Sequence, residues 1–358
     1  MKNSAYLFYP VYLSLSYPIK QKVHAMEMDK IIGKILQGYQ PACVVMTANE
    51  LKLFDQLKKP ATAKQVAETL NLDPEATERL LNSLTSMEIV IKENQTYHLP
   101  KAAHDYLISG GSHPLQQWIQ LSADLYPVWG QLSSFIKSGI LIKSIMEMLS
   151  GDPHKMRAFT DAMHDKAPKA TWMIAREIPI GDAKTMLDVG GGPGTYALEW
   201  CKLHSHLKAT VFDIAPVLEV AKNYIETYGL QDRVDTQPGD FLKDDLGDSQ
   251  YDLVLMANIL HMYDADMSRA LVSKAVKAVK PSGRIIIHGF CTNEDQTGPL
   301  DDTLFSLNIG MLTEGGRAHP VQEKIDWLKA AGISDIRYFR VDAIPTGVVT
   351  GRRAAGGR

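Results

Sequence analysis

Three short segments hold polar and glycine residues at spacings from which a ligand site can be built. The first is Leu187-Asp188-Val189-Gly190-Gly191-Gly192-Pro193-Gly194-Thr195. A strand pattern ends at Asp188, a glycine run follows, and a helical pattern begins near Tyr196. In an open α/β sheet, ligands collect outside the carboxyl ends of the strands, beside the loop after the first one. Glycines are needed there because a Cβ blocks close approach and because a sharp turn demands positive φ. The spacing is D-x-G-x-G-x-G. A dinucleotide fingerprint G-x-G-x-x-G fails from Gly190 at Thr195, from Gly191 at Pro193 and Tyr196, and from Gly192 at Ala197, so the loop suits a ligand without a pyrophosphate. The second segment ends in Asp213, twenty-five residues after Asp188, where a carboxylate accepts from both ribose hydroxyls. The third, Gly239-Asp240-Phe241, closes an expected third strand, with a carboxylate for an adenine amino group and a ring for its face. Tight turns and helix-capping acids explain any one of these segments; the three together favour a site.

The surrounding elements are those such a site needs. TMLDVGG (185–191), ATVFDI (209–214), YDLVLMA (251–257) and GRIIIHGF (283–290) are short β-rich runs separated by helical stretches, which predicts an α/β domain with a parallel sheet covered on both faces. RALVSKAVKAVK (269–280) is one of the helices, with Pro281-Ser282-Gly283 expected to stop it. Upstream, 28–59 reads as a helical pair. Residues 60–100 run helix, turn, helix, hairpin, with Glu93-Asn94-Gln95 at the tip, the order of a winged helix. Residues 101–178 are mainly helical.

Charge and composition limit the function classes. The 358 residues carry 38 Lys+Arg against 41 Asp+Glu, a net charge of −3, with 45% apolar residues. That is an ordinary globular balance for about two domains, without the basic excess of a nucleic-acid binder. The winged-helix segment itself holds Lys64, Arg79 and Lys92 against Glu68, Asp73, Glu75, Glu78, Glu88 and Glu93, so packing or dimerisation is favoured over DNA. Cys43, Cys201 and Cys291 lack metal-site spacing and are too sparse for a disulfide framework; neither metal nor membrane partner is expected, and the cytoplasm is the default location. The Tyr- and Leu-rich run at 5–17 is too short for a span and is broken by Pro10 and Pro18. Residues 1–27 are therefore read as an extension that either packs on a partner or is disordered.

LDVGGGPGTYAL, VFDIAPVLEVAK, the GDF triplet and NILHMYDADM resemble the class I S-adenosylmethionine-dependent methyltransferases. More narrowly they are similar to the small-molecule O-methyltransferases of the plant caffeate/acetylserotonin type and their bacterial relatives. LFDQL, YPVWGQLSSFIKSG and AFTDAMHDKA carry the likeness upstream. The resemblance implies a Rossmann-like, seven-stranded, mostly parallel sheet whose last strand (344–352) is reversed, behind a winged-helix dimerisation domain (28–110) and a helical linker (111–178). The catalytic domain then spans 179–353, with a tail at 354–358, and the protein is a homodimer acting on a small-molecule acceptor. S-adenosyl-L-methionine would lie against Asp188, Gly190, Gly192, Gly194, Asp213, Asp240 and Phe241.

By the same resemblance His261 is the general base. A phenol titrates near pH 10, and a neutral imidazole is suited to take its proton. Where the family reads His-Asp-Trp, this chain has His261-Met262-Tyr263. The family's two orienting glutamates fall at Gly289 and at Ala318, in Gly315-Gly316-Arg317-Ala318-His319-Pro320. Asp264, Asp302 or Glu314 are candidates to replace them. His288 and His319 either line the pocket or lie at the surface. Trp129, Phe159, Met163, Asn308, Met311 and Leu312 are the pocket residues implied. The lost glutamates keep other readings open: an acidic acceptor, C- or N-methylation, a relative that binds the cofactor but hydroxylates or rearranges as a pericyclase does, and, less favoured, a cofactor-binding winged-helix regulator.

Overall fold

The computed structural model describes residues 25–149, 152–341 and 344–355. Residues 1–24 of the expected extension and 356–358 of the tail lie outside the described residues. The chain divides into two compact units, Met1–Leu125 and Tyr126–Arg358.

The first unit opens with α1 (Ala25–Gln37), α2 (Tyr39–Glu50) and α3 (Leu53–Gln56). Then come β1 (Ala61–Thr62), α4 (Ala63–Leu70), α5 (Pro74–Ser86), β2 (Ile91–Glu93), β3 (Thr96–His98), α6 (Lys101–Leu107) and the start of α7 (Gln116–Trp129). Local chemistry sets the helix starts. Thr62 and Gln65 form a reciprocal capping box on α4, and Asp73 caps α5, with Pro74 at its first position. Asn94 takes φ 55° in the two-residue turn between β2 and β3. The three short strands pair antiparallel in the order β1-β3-β2, so the helix, turn, helix, hairpin order read from the sequence is present. Leu53, Phe54, Leu57, Val66, Leu81, Leu84 and Tyr97 are buried at its centre.

The second unit carries α8 (Leu132–Ser138), α9 (Ile145–Leu149), α10 (Pro153–Glu177), β4 (Thr185–Val189), α11 (Thr195–Leu203), β5 (Lys208–Asp213), α12 (Ala215–Tyr228), β6 (Val234–Pro238) and β7 (Tyr251–Ala257). After a 3-10 turn at Leu260–Met262 come α13 (Ala265–Ala278), β8 (Val279–Gly289), α14 (Leu300–Gly310), α15 (Val321–Ala330), β9 (Ile333–Arg340) and β10 (Gly347–Arg353). The seven strands lie in the order β6-β5-β4-β7-β8-β10-β9. The first five are parallel and β10 is antiparallel to both neighbours, so the reversed last strand is as expected. Met186, Leu253, Leu255 and Ile286 enter one core and Leu187, Val254, Met256 and Ile287 the other, which is why these strands read as unbroken apolar runs.

One element differs from its sequence reading. α13 ends at Ala278, before Pro281, and Val279 already pairs with Tyr251 as a strand residue. The buried Val279 is worth more in the sheet than as another helical turn. Pro281-Ser282-Gly283 are absorbed within β8, where Ser282 takes φ 64°.

Candidate active site

The sheet has its switch point between β4 and β7, where chain order runs outward in opposite directions, and a crevice opens outside the carboxyl ends there. The loop after β4 is Gly190–Gly194 and the turn after β7 is Asn258–His261, so topology alone brings the glycine loop and the histidine together. The contact is close. A Cβ built on Gly190, which has φ +63°, would stand 2.7 Å from Ile259 Cγ2 and 3.1 Å from Phe241 Cε1. Gly192 also takes positive φ, +57°, and its N–H donates to Asp213 Oδ2 at 2.9 Å. Asp213 Oδ1 accepts from the Ile214 amide at 2.7 Å. The acid at the end of β5 thus sets the shape of the loop after β4.

Asp188 is fully buried in β4, and neither of its carboxylate oxygens makes a close hydrogen bond. Burial raises its pKa to about 7; the Ala197 backbone N–H opposes this and the charge on Asp213 adds to it. A buried carboxylate left in this state is stabilised by a nearby positive charge. Asp240, after β6, accepts from the Leu242 amide at 2.9 Å and pairs with Lys243 at 2.9 Å, which holds its carboxyl below the usual range. Phe241 meets Tyr263 edge-on at 6.1 Å. The loop is braced from behind by α10: His164 Nδ1 hydrogen-bonds Thr195 Oγ1 at 2.7 Å and stacks on Tyr224 at 3.8 Å.

His261 sits in the 3-10 turn, half-buried, with its ring edge-on to Phe305 (4.7 Å) and Phe290 (6.5 Å), which stack on each other at 3.7 Å. Its pKa is pushed down to about 3, first by burial and then by Lys324, His319, Lys166 and His288. The imidazole is therefore neutral at physiological pH.

None of the acids proposed to orient it does so. Asp264 caps α13 through the Met267 amide at 2.8 Å. Asp302 accepts from the Cys291 amide at 2.6 Å and from Arg340 at 2.8 Å. Glu314 is exposed, and no described hydrogen bond joins it to His261. A Cβ at Gly289 would point at Asn258 Oδ1, 3.3 Å away, and Ala318 is buried.

His288 and His319 are not surface residues. His288 is hydrogen-bonded to Tyr196 (2.8 Å) and Thr346 (2.7 Å). His319 is fully buried and lies beneath the 260–263 turn. Its Nε2 reaches the Tyr263 carbonyl at 3.0 Å, Ser268 Oγ at 3.1 Å and the Leu260 carbonyl at 3.2 Å, while Nδ1 faces Glu323 at 3.2 Å. His319 thus ties down both ends of the turn that carries His261, a role the sequence did not reveal. Lys166 is the other residue the sequence reading passed over, although it follows Phe159 and Met163 at helical spacing.

Of the residues implied for the pocket, Trp129 donates from Nε1 to Asn308 Oδ1 at 3.0 Å. Phe159 and Met163 are half-buried on α10, and Met311 and Leu312 are buried. The Met311 carbonyl accepts from the Ile142 and Lys143 amides, joining the segment before α9 to the end of α14. No cluster of three or more possible metal-ligating His, Cys, Asp or Glu occurs among the described residues, and no helix there is long and apolar enough to cross a membrane.

Comparison with known proteins agrees with this geometry. The O-methyltransferase domain model matches residues 133–334, and the O-methyltransferase dimerisation domain model matches 34–109. The chain is 28% identical over 331 residues to 3-hydroxy-5-methyl-1-naphthoate 3-O-methyltransferase of Streptomyces sahachiroi, covering 90% of this chain and 95% of that one. Its fold superposes on PigF solved with S-adenosylhomocysteine with a TM-score of 0.80 and 25% identity, over 93% of this chain and 100% of that one. It likewise superposes on human N-acetylserotonin methyltransferase in complex with S-adenosylmethionine, with a TM-score of 0.80 and 23% identity, over 94% and 99%. With a catalytic-domain match across more than half of its length, the chain belongs to the S-adenosylmethionine-dependent O-methyltransferases.

Proposed function

We propose that this enzyme methylates a hydroxyl on an aromatic or similarly apolar small molecule, with His261 taking the proton. One observation carries the reading: the glycine loop that would hold the cofactor touches Ile259, two residues before His261. Cofactor and base are thereby adjacent without any domain movement.

When bound, S-adenosylmethionine supplies a methyl group already activated on a sulfonium, so the chain's work is positioning and deprotonation. In this reading Asp213 accepts from the ribose hydroxyls with the lone pairs its two backbone bonds leave free. Asp240 and Phe241 frame the adenine. The 190–194 loop backs the amino-acid portion, and the buried carboxylate of Asp188 is balanced by the cofactor's positive charges. Trp129, Phe159, Met163, Asn308, Met311 and Leu312 shape the acceptor pocket, where Asn308 is fixed by the Trp129 indole.

His261 is held neutral by its surroundings, so its free nitrogen is available at any physiological pH. The same surroundings make it a weak base, which suits a hydroxyl more acidic than a simple phenol. Replacing His261 with Ala is expected to lower kcat by ~10²–10⁴ while calorimetric affinity for S-adenosylhomocysteine stays unchanged. Turnover equal to the parent enzyme would reject the base and leave proximity alone.

The N-terminal unit supports a homodimer. Ile32, Ile35, Leu36 and Tyr39 are all large, apolar and exposed, and the first three form a stripe at helical spacing on α1. Light scattering should return twice the chain mass; a monomer would reject the assignment.

A further inference from the structure

The helix α10 turns a mixed face toward the acceptor side. Phe159, Met163 and Lys166 stand at i, i+4 and i+7, and so share one face. His164 is buried on the side packed against α11 and α12. Lys166 Nζ lies 5.7 Å from the centre of the Phe290 ring. Phe290 stacks on Phe305, and both rings abut His261. A lysine therefore stands at the end of an otherwise apolar wall, beside the aromatic pair that flanks the base.

After burial, the largest electrostatic influences on His261 come from Lys324, His319, Lys166 and His288; burial keeps the two histidines neutral, so the positive charge there belongs to the lysines. Lys324 is itself buried, its ammonium donating to the Phe290 carbonyl at 2.7 Å. The acid that pulls on Lys166 is Asp301, an exposed residue in the first turn of α14. Solvent reaches much of the Lys166 side chain, yet protein crowds its ammonium and holds its pKa below the usual lysine range. Such a partly desolvated ammonium gains from further negative charge placed beside it. A flat acceptor lying along Phe159 and Met163 with its hydroxyl at His261 would bring its substituents to Lys166.

We propose that the acceptor of this site is an aromatic anion and that Lys166 selects it. The inference rests on the methyl-transfer reading above and narrows it to a substrate class. The charge is a ring carboxylate on the part of the acceptor that reaches Lys166, and Lys166 is a specificity-determining residue rather than a catalytic one.

The test uses three probes with the full chain saturated in S-adenosylhomocysteine at pH 7. These are 2-naphthol, which is neutral; 3-hydroxy-2-naphthoate, which carries a carboxylate; and 1-nitro-2-naphthol, whose hydroxyl is ionised. Calorimetry should find 3-hydroxy-2-naphthoate bound about tenfold to a hundredfold more tightly than 2-naphthol. Lys166→Met should erase the difference and Lys166→Arg should keep most of it. A preference limited to the nitronaphthol would place the charge on the reacting oxygen and overturn the proposal. Unchanged affinity for S-adenosylhomocysteine in Lys166→Met shows that the variant is folded. Equal binding of neutral and anionic probes, a preference that survives Lys166→Met, or no binding of any probe to the loaded protein would overturn the proposal. If the anions bind through Lys166 but no bound anion is methylated when S-adenosylmethionine is supplied, the anion site stands and the methyl-transfer reading fails.

Discussion

The two sides of the crevice have opposite electrostatic character. On the cofactor side, at the ends of β4, β5 and β6, stand Asp188, Asp213 and Asp240. Two of the three are fixed by backbone amides, Asp213 by Gly192 and Ile214, and Asp240 by Leu242. On the acceptor side, around the turn after β7, the end of β8 and the loop before α15, the positions that resemblance assigns to glutamates are Gly289 and Ala318, and the cations that bear most on His261 are Lys324 and Lys166. The acidic half suits a sulfonium-bearing cofactor that is the same for every member of the family. The other half faces the acceptor in the reading proposed above. A base flanked by carboxylates suits a neutral acceptor; a weak base among cations suits an anion.

The comparison is broken most severely on the acidic side. Asp213→Ala removes the partner of the Gly192 and Ile214 amides as well as the acceptor for ribose, so both the ligand contact and the loop shape are lost. Affinity for S-adenosylhomocysteine should fall by about a hundredfold or more, read by calorimetry on protein whose melting temperature shows it folded. A near-parental affinity would mean that the loop holds its ligand without the acid. On the basic side the largest structural lever is His319. His319→Ala leaves the Leu260 and Tyr263 carbonyls without their shared donor, and the turn carrying His261 should lose its fixed orientation. The expected cost is about tenfold to a hundredfold in kcat, with little change in the KM for S-adenosylmethionine. His319→Arg, which again offers N–H groups to both carbonyls and to Glu323, should restore part of the loss. A role in core packing alone would show no such rescue and would lower the melting temperature instead.

The same division governs what could be read from the sequence. The cofactor side is built from local signals. A glycine spacing, an acid twenty-five residues on and a GDF triplet each follow a strand whose apolar run is self-evident, and parallel pairing brings strand ends into one line. The acceptor side is built from contacts between distant segments, and residue type gave little guidance there. His319 and His288 were equally plausible as pocket or surface groups. Only the tertiary packing shows that one ties the 260–263 turn and that the other lies between Tyr196 and Thr346. The carboxylates Asp264 and Asp302 were reasonable substitutes by type, but a helix cap and the Cys291 amide with Arg340 had already claimed them. Lys166 did have a signal, its i+7 spacing from Phe159, and that signal became readable once Phe290 was placed beside it. The end of α13 went astray for a related reason: Val279 is claimed by pairing with Tyr251, a long-range demand that local helix punctuation does not record.

A smaller effect comes from two buried histidines. His164 bonds Thr195 beside the glycine loop and His288 bonds Tyr196, the next residue; burial pushes their pKa values down to about 4 and about 3. In the unfolded chain each ring titrates near pH 6.5. Below that pH the unfolded state takes up protons that the folded state refuses, so the stability these neutral rings contribute is intact above about 6.5 and is lost as pH falls toward the folded values. The slope is at most about 1.4 kcal/mol per pH unit for each ring. Melting temperature measured from pH 7 to pH 5 should therefore fall, and it should fall less steeply in His288→Gln, which cannot be protonated. His164→Gln should flatten the curve similarly, but it should also weaken S-adenosylhomocysteine binding because Thr195 loses its brace. A melting temperature that rose on acidification, or a His164→Gln affinity equal to that of the parent enzyme, would contradict these roles.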